Sequence, residues 1–183
     1  MELFDRLCQN FGIRKRLEES RPHLYRVAYS WCHDAYIADD LAQEALSKAL
    51  RLHHQLREPE ALYAWLFRIL NNCWQDHLRK RRETIEFDEN DFAHSSTPEV
   101  LVAQQQKVQQ VRTAIAQLPP NQRQVVTLVD LEGFSYTEVA DILELPIGTV
   151  MSRLCRARKV LVDLLVPVDA DLRRTPGRIR RIK

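Results

Sequence analysis

Apolar side chains recur at helical spacing through most of this chain. Leu24, Val27, Ala28 and Trp31 fall three or four residues apart, and so do Ile37, Leu41, Ala45 and Ala49. That is the pattern of helices that bury one face. Pro59 precedes a longer segment whose apolar side is Leu62, Leu66, Ile69 and Cys73, with Leu70, Trp74 and Leu78 beside it. Its other side carries Arg68, Asn72, Gln75 and Arg79 at i, i+4, i+7 and i+11. Such a helix packs one face and offers a polar, partly basic stripe to water or a ligand. β-branched residues do not gather in alternating runs, so no strand is predicted.

A break follows. Residues 83–97 hold five acids, no Lys or Arg, and the run Ser95-Ser96-Thr97-Pro98. They read as a flexible acidic linker between two domains, since loops of that length are uncommon inside one compact domain. The boundaries predicted are 1–82 for a first helical domain, 83–97 for the linker, 98–166 for a second helical domain and 167–183 for a basic tail. The fold class is all-α. The second domain begins with a helix from Val100 to Ala116 whose apolar repeat is Val108, Val111 and Ile115. Leu118-Pro119-Pro120 ends it. Pro120 suits the first position of the next helix, through Val125, Val126, Leu128, Val129 and Leu131, which Glu132-Gly133-Phe134 breaks.

The sharpest local signal is Ser135-Tyr136-Thr137-Glu138, a capping box in which Ser and Glu satisfy free amides at a helix start. It opens a short helix, Tyr136 to about Leu143. A turn through Glu144-Leu145-Pro146 leads to a helix from about Ile147 to Leu165. Two helices across a tight turn read as helix-turn-helix. Glu144 stands where glycine is common, at a cost of about 1 kcal/mol if the turn is left-handed. On the second helix Val150, Leu154 and Leu161 face inward, while Thr149, Ser152, Arg153 and Arg156 face outward near its start. Short hydroxyls there can touch base edges and Arg can reach guanine or phosphate. A merely solvated helix face is the plainer alternative.

Composition removes other classes. The chain has 183 residues, 27 Lys plus Arg against 25 Asp plus Glu, and a formal net charge of +2. A polyanion would therefore meet local patches such as Arg79-Lys80-Arg81-Arg82 rather than a global field. Cys8, Cys32, Cys73 and Cys155 are scattered without a CxxC pair, which fits a reducing cytosol and neither a disulfide framework nor a zinc cluster. Four glycines, well separated, leave no phosphate-cradling loop. No run approaches the roughly 18 apolar residues of a membrane span, and Met1-Glu2-Leu3-Phe4-Asp5 does not start a signal peptide. No nucleophile–base pair is evident. Neither catalytic residues, nor a metal, nor a cofactor is expected.

Four ordered motifs together resemble the group IV, or extracytoplasmic function (ECF), sigma factors of bacterial RNA polymerase. Ile37-Ala38-Asp39-Asp40-Leu41-Ala42-Gln43-Glu44-Ala45 resembles the family's A-x-D-L-x-Q-E helix of region 2. Ala64-Trp65-Leu66-Phe67-Arg68-Ile69-Leu70-Asn71-Asn72, with Asp76-His77-Leu78-Arg79, resembles its AWLxxIxxNxxxDxLR helix. Leu118-Pro119-Pro120-Asn121-Gln122-Arg123 resembles the start of region 4, and Gly148 to Arg158 its GTVxSRLxRAR recognition helix. The resemblance covers about residues 20 to 165.

The resemblance implies a promoter-specificity subunit without catalytic activity, located in the cytoplasm and without membrane contact of its own. Asp40, Gln43 and Glu44 would dock on the clamp coiled coil of the polymerase β′ subunit, and region 4 on the β flap. The loop before the long helix would capture a flipped base of the −10 element, with Arg51, His53, His54, Gln55 and Arg57 as candidates. Arg68, Asn72, Gln75 and Arg79 would face the −10 DNA, and Asp76 would orient an Arg. The paired histidines are not expected to bind a metal. Trp65 reads as core rather than as a stacking platform. Thr149, Met151, Ser152, Arg153, Cys155 and Arg156 would read the −35 element. Many relatives carry Lys or Arg where Met151 stands, so the −35 sequence does not transfer by analogy. An anti-sigma factor is an expected partner. The acidic linker would thread toward the polymerase cleft or serve as a soluble tether, and the tail would add phosphate affinity or remain an unstructured terminus. The competing reading is an autonomous helix-turn-helix regulator, which leaves the first domain without a task.

Overall fold

The computed structural model describes residues 2–56, 58–85 and 103–165, with side chains described for 12–54, 56, 58, 60–81 and 108–165. The helices are α1 (Glu2–Cys32), α2 (Ala35–Leu52), α3 (Leu62–Ile85), α4 (Ala103–Ala116), α5 (Pro120–Val126), α6 (Tyr136–Leu143) and α7 (Ile147–Leu165), and no strand occurs among the described residues. The expected all-α fold is therefore present. The basic tail, most of the acidic linker and Arg57 lie outside the described residues. So does the side chain of Gln55.

The first unit is α1–α3. His33 takes a left-handed conformation (φ 54°) and turns the chain. Asp34 then caps α2, its Oδ1 accepting from the Tyr36 and Ile37 amides at 2.8 and 3.0 Å. Ala38, Ala42, Ala45 and Ala49 line the buried side of α2, alongside Leu41. Small side chains there let the neighbouring helices approach closely. Leu24, Val27, Ala28 and Trp31 of α1 and Leu62, Leu66, Ile69, Leu70, Cys73 and Trp74 of α3 complete the core, as the periodicity predicts. Trp65 packs against that core, partly buried.

In the second unit α4 only half follows its pattern. Ile115 is buried, but Val108 and Val111 are 51% and 37% exposed. Residues 108–113 are all exposed, so among the described side chains α4 joins the buried core only at its C-terminal end. Pro120 starts α5 as predicted. The next turn, Thr127–Leu131, is wider than an α-helix: the Glu132 amide donates to the Thr127 carbonyl at 3.0 Å, five residues back. Gly133 (φ 78°) ends it.

The helix-turn-helix forms as the sequence predicts. Ser135 Oγ accepts from the Glu138 amide at 3.3 Å, and Glu138 Oε2 accepts from the Ser135 amide and hydroxyl at 2.8 and 2.7 Å. Glu144 adopts φ 54° and ψ 47°, and its amide donates to the Ala140 carbonyl. Replacing Ser135 with alanine is expected to destabilise the protein by about 1 kcal/mol, read as a lower urea midpoint. The side-chain and backbone bonds from Ser135 hold the Glu138 carboxyl below its ordinary value. A carboxyl lowered on folding stabilises the protein above the ordinary carboxylate range, and the contribution is lost as pH falls through it. The Ser135→Ala deficit should therefore shrink on acidification.

The two units pack against each other, and their buried residues form one continuous cluster. Phe134 meets Phe67 edge-on, with centroids 5.6 Å apart. Gln124 donates to Asn71 Oδ1 at 3.2 Å, with both side chains buried. Ser30 and Thr127 hydroxyls lie 3.1 Å apart. His23 pairs with Glu132 and rests against the rings of Tyr63 and Phe67. Arg123 reaches furthest: Nη1 donates to the Trp31 carbonyl at 2.7 Å, and Nη2 to the Ala116 and Leu118 carbonyls at 2.6 and 2.9 Å.

Candidate nucleic-acid interface

The amphipathic register of α2 turns Asp40, Gln43 and Glu44 outward, and all three are exposed. Their neighbours are organised. Gln43 donates to Asp39 Oδ2 at 2.6 Å, and Asp39 accepts from Arg21 at 2.7 Å. Glu44 pairs with Lys48 at 2.8 Å, one helical turn on. Lys48 also reaches Asp76 of α3 at 3.7 Å, and Asp76 accepts from Arg79 at 2.7 Å. The bond to Glu44 raises the Lys48 pKa. Asp76 thus does hold an Arg, as expected. Lys48, which ties the α2 face to α3, was not singled out from sequence, although its i, i+4 spacing from Glu44 was a visible signal.

The polar stripe of α3 is exposed at Arg68, Asn72, Gln75 and Arg79, which the helix brings onto one side. Its two ends differ. Arg79 is engaged within the helix by Asp76, whereas Arg68 Nε donates to Glu144 Oε1 of the helix-turn-helix at 3.1 Å. Gln75 Nε2 lies 3.5 Å from Asn71 Oδ1. Arg51, expected in the loop before α3, lies instead in the last turn of α2 and is exposed, while in the loop that follows His54 is exposed and His53 is half-buried. His53 Nδ1 bonds the Leu50 carbonyl at 2.8 Å, and its ring meets that of His54 edge-on at 6.1 Å. Among the described residues no group of three or more His, Cys, Asp or Glu is placed to hold a metal.

On α7, Val150 and Leu154 are buried and Leu161 is half-buried, which turns the candidate reading face outward. Met151, Ser152, Cys155 and Arg156 are exposed, with Thr149 and Arg153 half-buried beside them. Arg156 is folded along the helix, its Nε donating to the Ser152 carbonyl at 3.1 Å. Arg158 belongs elsewhere: it pairs with Asp130 through two nitrogens, a bond that raises its pKa. The thiols do not form a redox pair among the described residues. Burial pushes Cys32 up to about 11, despite its donation to the Asp34 carbonyl, and burial also raises Cys73. Both are protonated, weak nucleophiles at neutral pH.

Two family models match the chain, "Sigma-70 region 2" over residues 17–84 and "Sigma-70, region 4" over residues 108–161. The ECF RNA polymerase sigma factor EcfG of Rhodopseudomonas palustris is 36% identical over 160 residues, covering 87% of this chain and 88% of that protein. The chain belongs to the ECF sigma factors. RNA polymerase sigma-H factor of Pseudomonas aeruginosa is 38% identical over 148 residues, covering 74% of this chain and 77% of that protein. Among solved structures, sigma factor RpoE of Bartonella quintana, in complex with the anti-sigma factor NepR, superposes with a TM-score of 0.74 at 31% identity. That match covers 84% of this chain and 96% of the other. CnrH, in complex with the cytosolic domain of CnrY, gives 0.54 at 25% identity, covering 82% and 85%.

This sigma factor is accordingly an alternative specificity subunit that directs transcription initiation and performs no catalysis of its own. No helix among its described residues is long and apolar enough to cross a membrane.

Proposed function

We propose that this sigma factor docks on core RNA polymerase through Asp40, Gln43 and Glu44 and reads two promoter elements in one chain. In this reading α3, the last turn of α2 and the loop between them hold the opened −10 strand, through Arg51, His53, His54, Gln55, Arg57, Arg68, Asn72, Gln75 and Arg79. The start of α7 enters the major groove of the −35 element with Thr149, Met151, Ser152, Arg153, Cys155 and Arg156. The observation that carries this is one of placement: the exposed α2 face, the exposed stripe of α3 and the exposed start of α7 all fall on helices whose opposite sides are core. Residues that merely filled helix surfaces would not need this order of acid, polar and hydroxyl groups on three successive motifs.

The domains work as 1–82 for docking and −10 recognition, 83–97 as connector, and 98–166 for −35 recognition, with the β flap as the second polymerase contact. The protein acts in the cytoplasm. An anti-sigma factor is its regulator, a reading supported by the solved relative RpoE, which was captured with the anti-sigma factor NepR.

Run-off transcription with sigma-free core polymerase tests the proposal, with DNA from upstream of the protein's own operon as one of a panel of templates. The expected result is a discrete start that requires the protein and maps the −10 and −35 sequences. A protein that failed to bind core polymerase and shifted duplex DNA unaided would instead be an autonomous regulator.

A further inference from the structure

Tyr36 lies bare at the start of α2. It is 86% exposed, whereas the next most exposed large hydrophobic residue among those described, Val162, is 56% exposed. Its backbone amide bonds the Asp34 cap, but its ring and hydroxyl make no hydrogen bond or ring contact among the described residues. Aromatic residues rank below the good helix formers, so the helix itself does not call for a ring at this position.

Its place around the helix is specific. At about 100° per residue, Tyr36 lies about 160° from the middle of the stripe that Ala38, Leu41, Ala42, Ala45 and Ala49 bury. Asp40 and Gln43, at i+4 and i+7, fall within about 40° of it, and both are exposed. Tyr36 therefore sits on the crest of the face that carries Asp40, Gln43 and Glu44. The flanks of that face are already engaged: Asp39 accepts from Gln43 and Arg21 on one side, and Glu44 pairs with Lys48 on the other. Asp40 is not. Its carboxylate has no ion pair or hydrogen bond among the described residues, and it stands one turn from the bare ring. Side chains at i and i+4 start about 5–6 Å apart, close enough for both to hold one long cation. The stem or guanidinium plane of such a cation lies on the ring, whose face attracts positive charge, and its charged end meets the carboxylate.

We propose that Tyr36 and Asp40 together grip one basic side chain of core polymerase, with Tyr36 the principal anchor of the docking face. Tyrosine is among the residues that most often dominate the binding energy of an interface, and it does so near the centre of the patch, where this ring stands. The occupant follows from charge: an open carboxylate beside a ring selects a basic protein surface and repels the phosphates of DNA. The inference rests on the proposed docking of the α2 face on polymerase.

The test titrates full-length Tyr36→Ala, Tyr36→Leu and Tyr36→Phe against labelled, sigma-free core polymerase. Alanine should weaken binding by about 30-fold, the loss of a dominant interface residue. Leucine keeps apolar bulk without the aromatic face and should lose about fivefold, whereas phenylalanine should stay within about threefold of wild type. All three should keep the wild-type thermal midpoint, because the ring packs on nothing in the chain. Alanine binding within about threefold of wild type overturns the proposal. So does leucine binding as well as wild type, which would leave no role for a cation on the ring, or phenylalanine binding as weakly as alanine, which would give the contact to the hydroxyl. A Tyr36→Ala chain that keeps its affinity for polymerase, but whose holoenzyme loses promoter binding, would assign the ring to DNA and overturns it too. Failure of the docking assignment itself shows separately, as unchanged affinity in Asp40→Lys with Glu44→Lys. If that double variant binds weakly while Tyr36→Ala does not, the docking face stands and the grip falls.

Discussion

Replacing Arg123 with methionine should lower the unfolding free energy by about 3 kcal/mol or more, the usual consequence of removing one partner from a buried charged network. Methionine keeps much of the stem, so the loss isolates the guanidinium. That group is nearly buried, and burial lowers its pKa. It compensates by donating to three carbonyls near the C-terminal ends of α1 and α4, neither of which has a basic residue in its own last turn. Carbonyls at helix C-termini carry partial negative charge and attract cations. One side chain thus caps two helices from different units. Lysine, lacking the planar fork, should recover only part of the stability. Urea denaturation measures both variants, and a loss below about 1 kcal/mol for methionine would mean that the three bonds are replaced by water at little cost.

The second large effect concerns docking. Reversing both acids of the α2 face, Asp40→Lys with Glu44→Lys, should weaken binding to core polymerase by about 30-fold to a thousandfold or more, the range expected when buried interfacial charge pairs worth roughly 2–5 kcal/mol are lost. Run-off transcription should fall in step. The fold should survive, because both side chains are exposed and the ion pair broken among the described residues is the surface contact of Glu44 with Lys48. Affinity for labelled core polymerase and the thermal midpoint, measured on the same preparation, separate the two effects. Unchanged affinity would remove this face from the interface.

Local rules carried most of the reading from residues to fold. The capping box at Ser135 and the left-handed Glu144 follow from chemistry within four residues, and both are present in the structure. The buried faces of α2 and α3 follow from period alone. Two kinds of feature were out of reach. Val108 and Val111 keep helical spacing, but spacing cannot say whether another element arrives to cover them. The union of the two units depends on pairs far apart in the chain, such as Arg123 with Trp31 and His23 with Glu132, separated by 92 and 109 positions. No periodicity marks such partners. Arg123 was visible only as part of a motif, and its three carbonyl acceptors emerge once α1 is packed beside α4. At the interface itself, Arg68 and Asn72 were legible as an outward stripe, but the occupation of Arg68 by Glu144 was not.

The wide turn at Thr127–Leu131 bears on how this chain is compared with others. A helix that spends one extra residue on a turn carries everything beyond it about 100° out of ordinary register. In a relative whose corresponding segment is a regular α-helix, the residue matching Asp130 or Glu132 would be displaced by one position. A gapless alignment would then pair the wrong side chains across the two proteins. The correct correspondence needs a single-residue gap inside this turn, anchored upstream by Arg123 and downstream by Ser135.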